Sequence, residues 1–305
     1  MGRHFSDLGQ KLCRMTIKDE QKVALVLSGG AARGIAHIGV IEELEKRGYE
    51  ITSIAGTSMG SLIGGVYATG KLNELKKYLY TLDKSKTFRL LDFTISKQGL
   101  IKGDKVLKKM KSFVPDRRIE NLALPYAAVA VDLINKEEVV FRSGSLYHAI
   151  RASISIPTVF TPVKEENRLM VDGGLLNNLP MAFVKRTEGD MMIAVHVNAD
   201  IPYEKPENTK EMVIKQVQYQ KKIKEFHSHI KPSSSVAEEK LGYLSLITKS
   251  FELMTLRMVE EKIREFSPEV LINVSHDSCN FYDFYKAEEQ VEAGRQAAIK
   301  VLDNI

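Results

Sequence analysis

Residues 22–60, KVALVLSGGAARGIAHIGVIEELEKRGYEITSIAGTSMG, contain two short apolar runs, each followed by a glycine-containing loop. The first run (22–27) precedes SGGAARG and a segment that ends at Gly48. That segment has the apolar spacing of a helix, at Ile35, Ile38, Ile41 and Leu44. The second run (51–55) precedes GTSMG and another segment that favours a helix. Because strands alternate with helices, the stretch predicts a parallel sheet with right-handed crossovers, and therefore an α/β fold.

The rest of the chain extends this pattern. Further strands are predicted within 125–141, at 169–171, at 191–198 and at 269–275, and further helices at 145–156, 241–266 and 286–302. In the long helix apolar residues recur at intervals of three and four, at Leu244, Ile247, Phe251, Met254 and Met258. This spacing favours packing on the core, and a membrane or partner surface is the alternative. We expect an N-terminal extension (1–21), a catalytic domain (22–199), a polar inserted arm (200–240) and a C-terminal portion (241–305) on the same domain.

Composition excludes several classes of protein. The chain has 305 residues, of which 44% are hydrophobic and 27% charged, and its net charge is +5. This excess of basic residues is too small for a dedicated nucleic-acid binder, but it is compatible with contact to an anionic lipid surface. The two cysteines have no zinc-ligand spacing, and no acidic cluster is typical of a calcium loop, so we expect no metal or cofactor. Without a recognisable signal sequence we expect a cytoplasmic protein, with peripheral contact at the inner membrane surface.

The pentapeptide GTSMG has the G-x-S-x-G pattern of a nucleophile elbow. Its context is right, because an apolar run precedes Ser58 and a helical segment follows it. Gly56 and Gly60 are expected to permit the sharp turn that exposes the serine hydroxyl. The alternative is a serine that merely caps a helix in a glycine turn. In an α/β-hydrolase more strands would precede the serine, so that fold is disfavoured.

The first glycine loop, SGGAARG, offers backbone N–H groups at the start of a helix. Neighbouring parallel strands would bring this loop beside Ser58, where its N–H groups could stabilise an oxyanion. A nucleotide-phosphate loop fits poorly, since neither G-x-G-x-x-G nor the P-loop pattern is present. A loop that only allows close packing of strand and helix remains the simpler alternative.

Asp172 is the residue most suited to act as the base. It follows a short apolar run and precedes Gly173 and Gly174, whereas none of the seven histidines has a distinctive setting. A partly desolvated carboxylate can accept a serine proton directly. The alternative is an aspartate that caps backbone amides in an Asx turn, which is common for Asp-Gly.

Three motifs in this order resemble the patatin-like phospholipases, and bacterial patatin domain proteins in particular. They are GGAARG (29–34), GTSMG (56–60) and DGG (172–174), and RASISIP (151–157) is also similar to a segment of the family. The resemblance runs from about Val23 to Val184. It implies a three-layer α/β sandwich whose mostly parallel central sheet is flanked by helices.

The resemblance also implies a mechanism. Ser58 would be the nucleophile and Asp172 its proton acceptor, which explains why no histidine partner is evident. The oxyanion hole would be formed at Gly29, Gly30 and Ala31, with Arg33 orienting the loop or adding charge. Alanine at position 31 departs from the glycine usual in the family, which restricts the backbone there.

The function expected from these residues is a serine lipid acyl hydrolase, of phospholipase or lysophospholipase type, that acts on a lipid or acyl ester through an acyl-enzyme. Two alternatives stay open. One is an acyltransferase or general carboxylesterase with the same dyad. The other is a membrane-associated regulatory protein that acts through residues 200–266. The oligomeric state is not predicted.

Overall fold

The computed structural model describes residues 21–90, 104–157, 159–205 and 243–305. The strands in these residues are β1 Gln21–Leu27, β2 Tyr49–Thr57, β3 Tyr126–Asp132, β4 Glu137–Phe141, β5 Val163–Glu165, β6 Arg168–Asp172, β7 Met191–Ala199 and β8 Val270–Ser275. The α-helices are α1 Ala36–Lys46, α2 Met59–Ala68, α3 Leu72–Tyr80, α4 Lys84–Leu90, α5 Asp104–Met110, α6 Leu146–Ser153, α7 Tyr243–Phe266 and α8 Ala287–Leu302.

The strands form one mixed sheet in which β3, β2, β1, β7 and β8 are neighbours in that order and run parallel. The three remaining strands are antiparallel to their partners, and β3 and β4 form the predicted hairpin. The prediction of an α/β fold with a mostly parallel sheet is confirmed. The short strand β5 was not predicted, because its sequence VKE is partly exposed and carries no apolar alternation.

The ends of β2 and β6 meet along one side of β3. Residues 128–132 of β3 pair with β4 on one side. On the other side, Thr57 at the end of β2 pairs with Val129, and Asp172 at the end of β6 pairs with Ala130. The residue that follows β2 and the last residue of β6 are therefore neighbours, although more than a hundred positions separate them in the sequence.

The sheet has helices or irregular segments on both faces. In β1 the residues Val23, Leu25 and Leu27 belong to a core cluster shared with α1, α2, α3, α6 and α8, whereas Ala24 and Val26 face a smaller cluster with Leu179, Met181, Val184 and Val259. Val259 lies in α7, so α7 and the segment around Leu179 cover the second face. This alternation along β1 creates the three layers.

Helices α1 and α8 pack very closely on the first face. A Cβ atom at Gly39 would lie 1.8 Å from the Val291 carbonyl oxygen, and a Cβ atom at Gly294 would lie 1.9 Å from that of Ala36. Both distances are impossible for a side chain, so the two glycines set the separation of the helices. The terminal helix is thereby fixed against the helix that follows the first glycine loop.

Two predicted segments lie outside the described residues, and one predicted helix face differs from expectation. The extension 1–20 and residues 206–240 of the predicted arm lie outside the described residues. Ile247 and Met254 were predicted on the buried side of α7, but both are exposed, whereas Thr255 and Val259 are buried. None of the described helices combines the length and the hydropathy that crossing a membrane requires.

Candidate active site

Ser58 lies between β2 and α2 in a backbone conformation that side chains rarely adopt. Its φ is 52° and its ψ is −122°. Such a conformation costs about 1–3 kcal/mol and persists only where the surroundings impose it. Here the Ser58 N–H donates to Ser153 Oγ at 2.8 Å, and Ser153 Oγ donates to the Val129 carbonyl at 2.6 Å. Ser153 therefore links the elbow peptide to β3, and Ser58 lies at the positive end of the dipole of α2.

The elbow glycines have a different role from the one predicted. Neither Gly56 nor Gly60 has a positive φ, so the unusual conformation belongs to Ser58 itself. A Cβ atom on Gly56 would lie 2.5 Å from the Gly60 carbonyl carbon, and one on Gly60 would lie 2.2 Å from the Leu27 carbonyl oxygen. The glycines are needed because β1, β2 and α2 approach too closely for any side chain, and not because the turn needs their backbone freedom.

Asp172 ends β6 as a buried carboxyl group. Its Oδ1 accepts the Gly174 N–H at 2.8 Å, whereas Oδ2 has no partner of good hydrogen-bond geometry within the described residues. Burial raises the pKa of Asp172 to about 7, and hydrogen bonding from the Ser58 hydroxyl and the Gly174 N–H opposes that rise. The Asx-turn interpretation is correct for Oδ1, and the same carboxyl also interacts with Ser58.

The glycines after Asp172 also allow close packing. A Cβ atom on Gly173 would lie 2.3 Å from the Val129 carbonyl oxygen, and one on Gly174 would lie 2.8 Å from Asn178 Oδ1. The turn therefore packs directly on β3, which fixes the position of the carboxyl group.

The first glycine loop lies beside the elbow, as the parallel pairing of β1 and β2 predicts. A Cβ atom on Gly29 would be 3.1 Å from Ser58 Cβ. However, the Gly29 N–H already donates to the Asn178 carbonyl at 3.0 Å, so the prediction that it is a free oxyanion donor is wrong. Among the described residues, the N–H groups of Gly30 and Ala31 have no acceptor. Two of the three expected donors are thus free.

Ala31 has a φ of 46°, in the left-handed region that favours glycine. The glycine that the resemblance leads us to expect here would adopt this φ without strain, whereas the alanine is strained by about 1–2 kcal/mol.

The Arg33 side chain holds the loop rather than facing the elbow. Its Nη2 forms an ion pair with Glu252 of α7 at 3.0 Å, and its Nη1 donates to the His276 carbonyl at 3.1 Å. The Arg33 N–H bonds to the Gly30 carbonyl at 3.0 Å. These contacts agree with the expected orienting role of Arg33, while its Nε has no partner among the described residues.

The described histidines do not pair with Ser58. His37 is fully buried and bonds to the Ser28 carbonyl at 2.8 Å, and burial lowers its pKa to about 4. His196 borders the same cavity as Ser58, and burial lowers its pKa to about 4 as well. Both imidazoles are therefore neutral at pH 7. In the described part of the chain no group of three His, Cys, Asp or Glu side chains is arranged to hold a metal.

Two cavities meet at Ser58. The larger, of about 350 Å³, is bordered by Asp172, the first glycine loop, His196 and several residues of α7. The smaller, of about 90 Å³, is almost wholly apolar and extends between α2, α3 and α5, where its walls include Leu62, Leu75, Leu79, Met110 and Phe160. Both cavities share Ser58 and Ala31. The serine thus stands between a mixed polar cavity and an apolar one.

Sequence reasoning missed two residues that support this geometry. Ser153 Oγ accepts the Ser58 N–H and so holds the elbow peptide. The backbone carbonyl of Asn178 accepts the Gly29 N–H, and the Asn178 side-chain Nδ2 donates to the Gly29 carbonyl at 3.3 Å. Signals for both were present in the sequence. Ser153 belongs to the RASISIP segment, and Asn178 lies in an Asn-Asn pair shortly after the DGG motif.

Comparisons with known proteins show what the chain is similar to. The chain matches the description "Patatin-like phospholipase" over residues 25–184, slightly more than half of its 305 residues. An uncharacterized NTE family protein of Mycobacterium tuberculosis (strain ATCC 25618 / H37Rv) is 46% identical over 177 residues, which are 58% of this chain and 49% of the relative. Patatin-like phospholipase domain-containing protein 6 of Mus musculus is 34% identical over 201 residues, covering 64% of this chain and 14% of the relative.

Among solved structures, VipD from Legionella pneumophila is similar with a TM-score of 0.48 and 15% sequence identity, over 94% of this chain and 67% of VipD. The chain spans about half the length of the mycobacterial relative that it matches.

Proposed function

The chain belongs to the patatin-like phospholipase family, and we propose that it hydrolyses lipid acyl esters with Ser58 as nucleophile and Asp172 as base. One observation carries the proposal. A serine in a strained conformation at a helix start interacts with a buried carboxyl group whose pKa is raised to about 7. A carboxylate of this pKa is a much better proton acceptor at neutral pH than an exposed one.

In the first step, Ser58 Oγ attacks the carbonyl carbon of the ester while the Asp172 carboxylate takes the hydroxyl proton. The carbonyl oxygen becomes an oxyanion, and the N–H groups of Gly30 and Ala31 are the donors that stabilise it. The tetrahedral intermediate then collapses, the bond to the alcohol breaks, and the alcohol oxygen takes the proton from Asp172. The product of this step is an acyl ester of Ser58.

In the second step, a water molecule attacks the acyl carbonyl carbon and Asp172 accepts its proton. The second tetrahedral intermediate releases the fatty acid, and Ser58 Oγ regains a proton from Asp172. One carboxyl group thus serves as base and acid in turn. An acyl acceptor other than water would make the same intermediate a transferase, and that alternative stays untested.

The two cavities support a lipid ester as the substrate. The apolar cavity, bordered by leucines and Met110, suits the acyl chain, because burial of each methylene contributes about 0.8 kcal/mol. The larger cavity has polar residues such as Asn178 and His196 among its mainly apolar walls and opens on the other side of Ser58, which suits the alcohol portion of a lipid ester. This division favours phospholipids or lysophospholipids over small polar esters.

The nucleophile is tested with a fluorophosphonate probe and a soluble p-nitrophenyl ester. We expect the wild type to be labelled and to hydrolyse the ester, and Ser58→Ala to do neither. The matched control is Ser61→Ala, since Ser61 lies one helical turn away and its hydroxyl only bonds to the Ser58 carbonyl at 2.7 Å. Labelling of Ser58→Ala would show that another residue is the nucleophile.

The base is tested by Asp172→Asn beside His196→Gln, because His196 borders the same cavity. We expect Asp172→Asn to lower kcat by about a hundredfold or more, the usual contribution of a general base. His196→Gln should keep kcat within a few fold. The reverse order of effects would assign the base to His196.

A further inference from the structure

Helix α7 is covered on one side by the core and bare on the other. Thr255 and Val259 are buried, Thr255 Oγ1 lies 3.4 Å from the Gly174 carbonyl oxygen, and Val259 packs in the smaller core cluster. The opposite side of the helix faces outward along its length. The composition of this outward side changes after Met254.

In the first part of α7 the outward side carries three large apolar residues beside the exposed Lys249 and Ser250. Leu246, Leu253 and Met254 are 56%, 58% and 61% exposed. They recur at i, i+7 and i+8, which places them in one stripe on the helix. Beyond Met254 the outward side becomes charged, with Arg257, Glu261, Arg264 and Glu265 exposed. A single exposed leucine needs no explanation, but three large apolar side chains exposed on one side of a helix do.

The apolar stripe, Leu246, Leu253 and Met254, adjoins the mouth of the larger cavity. Leu253 belongs to the stripe and also borders the cavity. The cavity is bordered as well by Ile247 of the same helix and by the half-exposed Tyr282. Apolar side chains therefore extend from the outside of the protein to the cavity that contains Ser58, among charged ones such as Lys249 and Glu252. The acyl chain of an ester could follow these apolar side chains into the cavity.

We propose that the apolar stripe of α7 inserts into a lipid surface, so that the ester enters the cavity from the lipid phase and not from solution. This inference extends the proposed function by naming aggregated lipid as the physical form of the substrate. The exposed Lys249, next to the stripe, is placed to meet headgroup phosphates, and the net charge of +5 acts in the same direction. A second copy of the chain on this surface would instead close the cavity mouth.

The insertion is measured directly with single tryptophans, because the chain contains none. Met254→Trp places the reporter in the stripe, and Arg257→Trp places it on the same side of the helix in the charged part. Vesicles of phosphatidylcholine with a minority of phosphatidylglycerol are added. We expect a blue shift and quenching by acyl-chain-brominated lipid for Met254→Trp only. Equal responses of the two reporters would overturn the proposal.

The contribution of the apolar stripe to vesicle binding is tested with the double variant Leu246→Gln/Met254→Gln. The matched control is Arg257→Gln/Glu261→Gln. None of these four residues borders the cavity. Burial of one leucine or methionine side chain is worth about tenfold in partitioning. We expect the first variant to bind vesicles at least about tenfold more weakly and to hydrolyse vesicle lipid correspondingly more slowly. Both variants should hydrolyse a soluble monomeric ester like the wild type.

The other occupants of the stripe give different outcomes. If residues 206–242 of the same chain cover it, the wild type does not bind vesicles and Leu246→Gln/Met254→Gln unfolds at a lower temperature. If a second copy covers it, the wild type is a dimer that this variant dissociates. Either result overturns the proposal. Failure of the proposed function is distinguishable, because the wild type would then not hydrolyse the soluble ester whether or not it binds vesicles.

Discussion

The substitution Asp172→Asn should remove activity and at the same time stabilise the protein at alkaline pH. Burial raises the pKa of Asp172 from 3.8 to about 7 in the folded protein. The unfolded chain therefore releases this proton near pH 4, whereas the folded protein retains it up to about pH 7. The carboxyl group consequently lowers the free energy of unfolding as the pH rises through this interval, and the loss is complete above it.

The size of the effect follows from the shift. Each pKa unit corresponds to about 1.4 kcal/mol, so ionised Asp172 destabilises the folded state by about 4 kcal/mol at pH 8. An asparagine cannot ionise, its Oδ1 can still accept the Gly174 N–H, and its amide can donate to Ser58 Oγ. The stability advantage of Asp172→Asn should therefore grow by about 2.5 kcal/mol between about pH 5 and about pH 8.

The assay is urea denaturation of both proteins across this pH range. Asp132→Asn serves as a control of opposite sign. Burial alone would raise the pKa of Asp132, but hydrogen bonds from the Leu169 and Ile134 N–H groups lower it overall. That variant should lose stability at neutral pH. A difference between wild type and Asp172→Asn that does not change with pH would refute the reasoning, because the carboxyl would then not be destabilised by burial.

Three further predictions follow from the same residues. The kcat/KM for a soluble ester should rise about tenfold per pH unit up to about pH 7 and then level off, since Asp172 must be ionised; a base of pKa near 4, such as His196, would give a flat pH–rate profile above about pH 5. Ala31→Gly should leave the unfolding temperature unchanged or slightly higher, because relief of the strained φ offsets the extra conformational entropy that glycine loses on folding. The control Ala297→Gly in α8 should lower the free energy of unfolding by about 1 kcal/mol. Burial lowers the pKa of both His37 and His196 to about 4, so each histidine should lower the free energy of unfolding by roughly 3 kcal/mol as the pH falls from about 6.5 to about 4. Thermal unfolding in the Asp172→Asn background measures this loss of stability, and His196→Gln should remove part of it.

Much of the fold was predictable because its signals are local. The apolar runs and helical spacing of residues 22–60 specify β1, α1, β2 and α2 in order, and a parallel pair necessarily places the loop after β1 beside Ser58. The hairpin of β3 and β4 was likewise evident from two runs and a short polar turn. The outward position of Met254 was not predictable, because helical spacing shows that apolar residues share a side and not what that side contacts.

The sequence by itself determined which residues could do chemistry: a serine on an elbow, an aspartate on a glycine turn and a loop with N–H donors. Only the tertiary structure decided how they are placed relative to one another. Asp172 lies beside Ser58 because β2 and β6 pair with the same side of β3. The Gly29 N–H donates to the Asn178 carbonyl. The strained φ is found at Ser58 and not at the glycines of the elbow. These outcomes depend on burial and on partners more than a hundred residues away in the chain. A local pattern cannot contain them, because pKa and hydrogen-bond occupancy are set by what lies nearby in space.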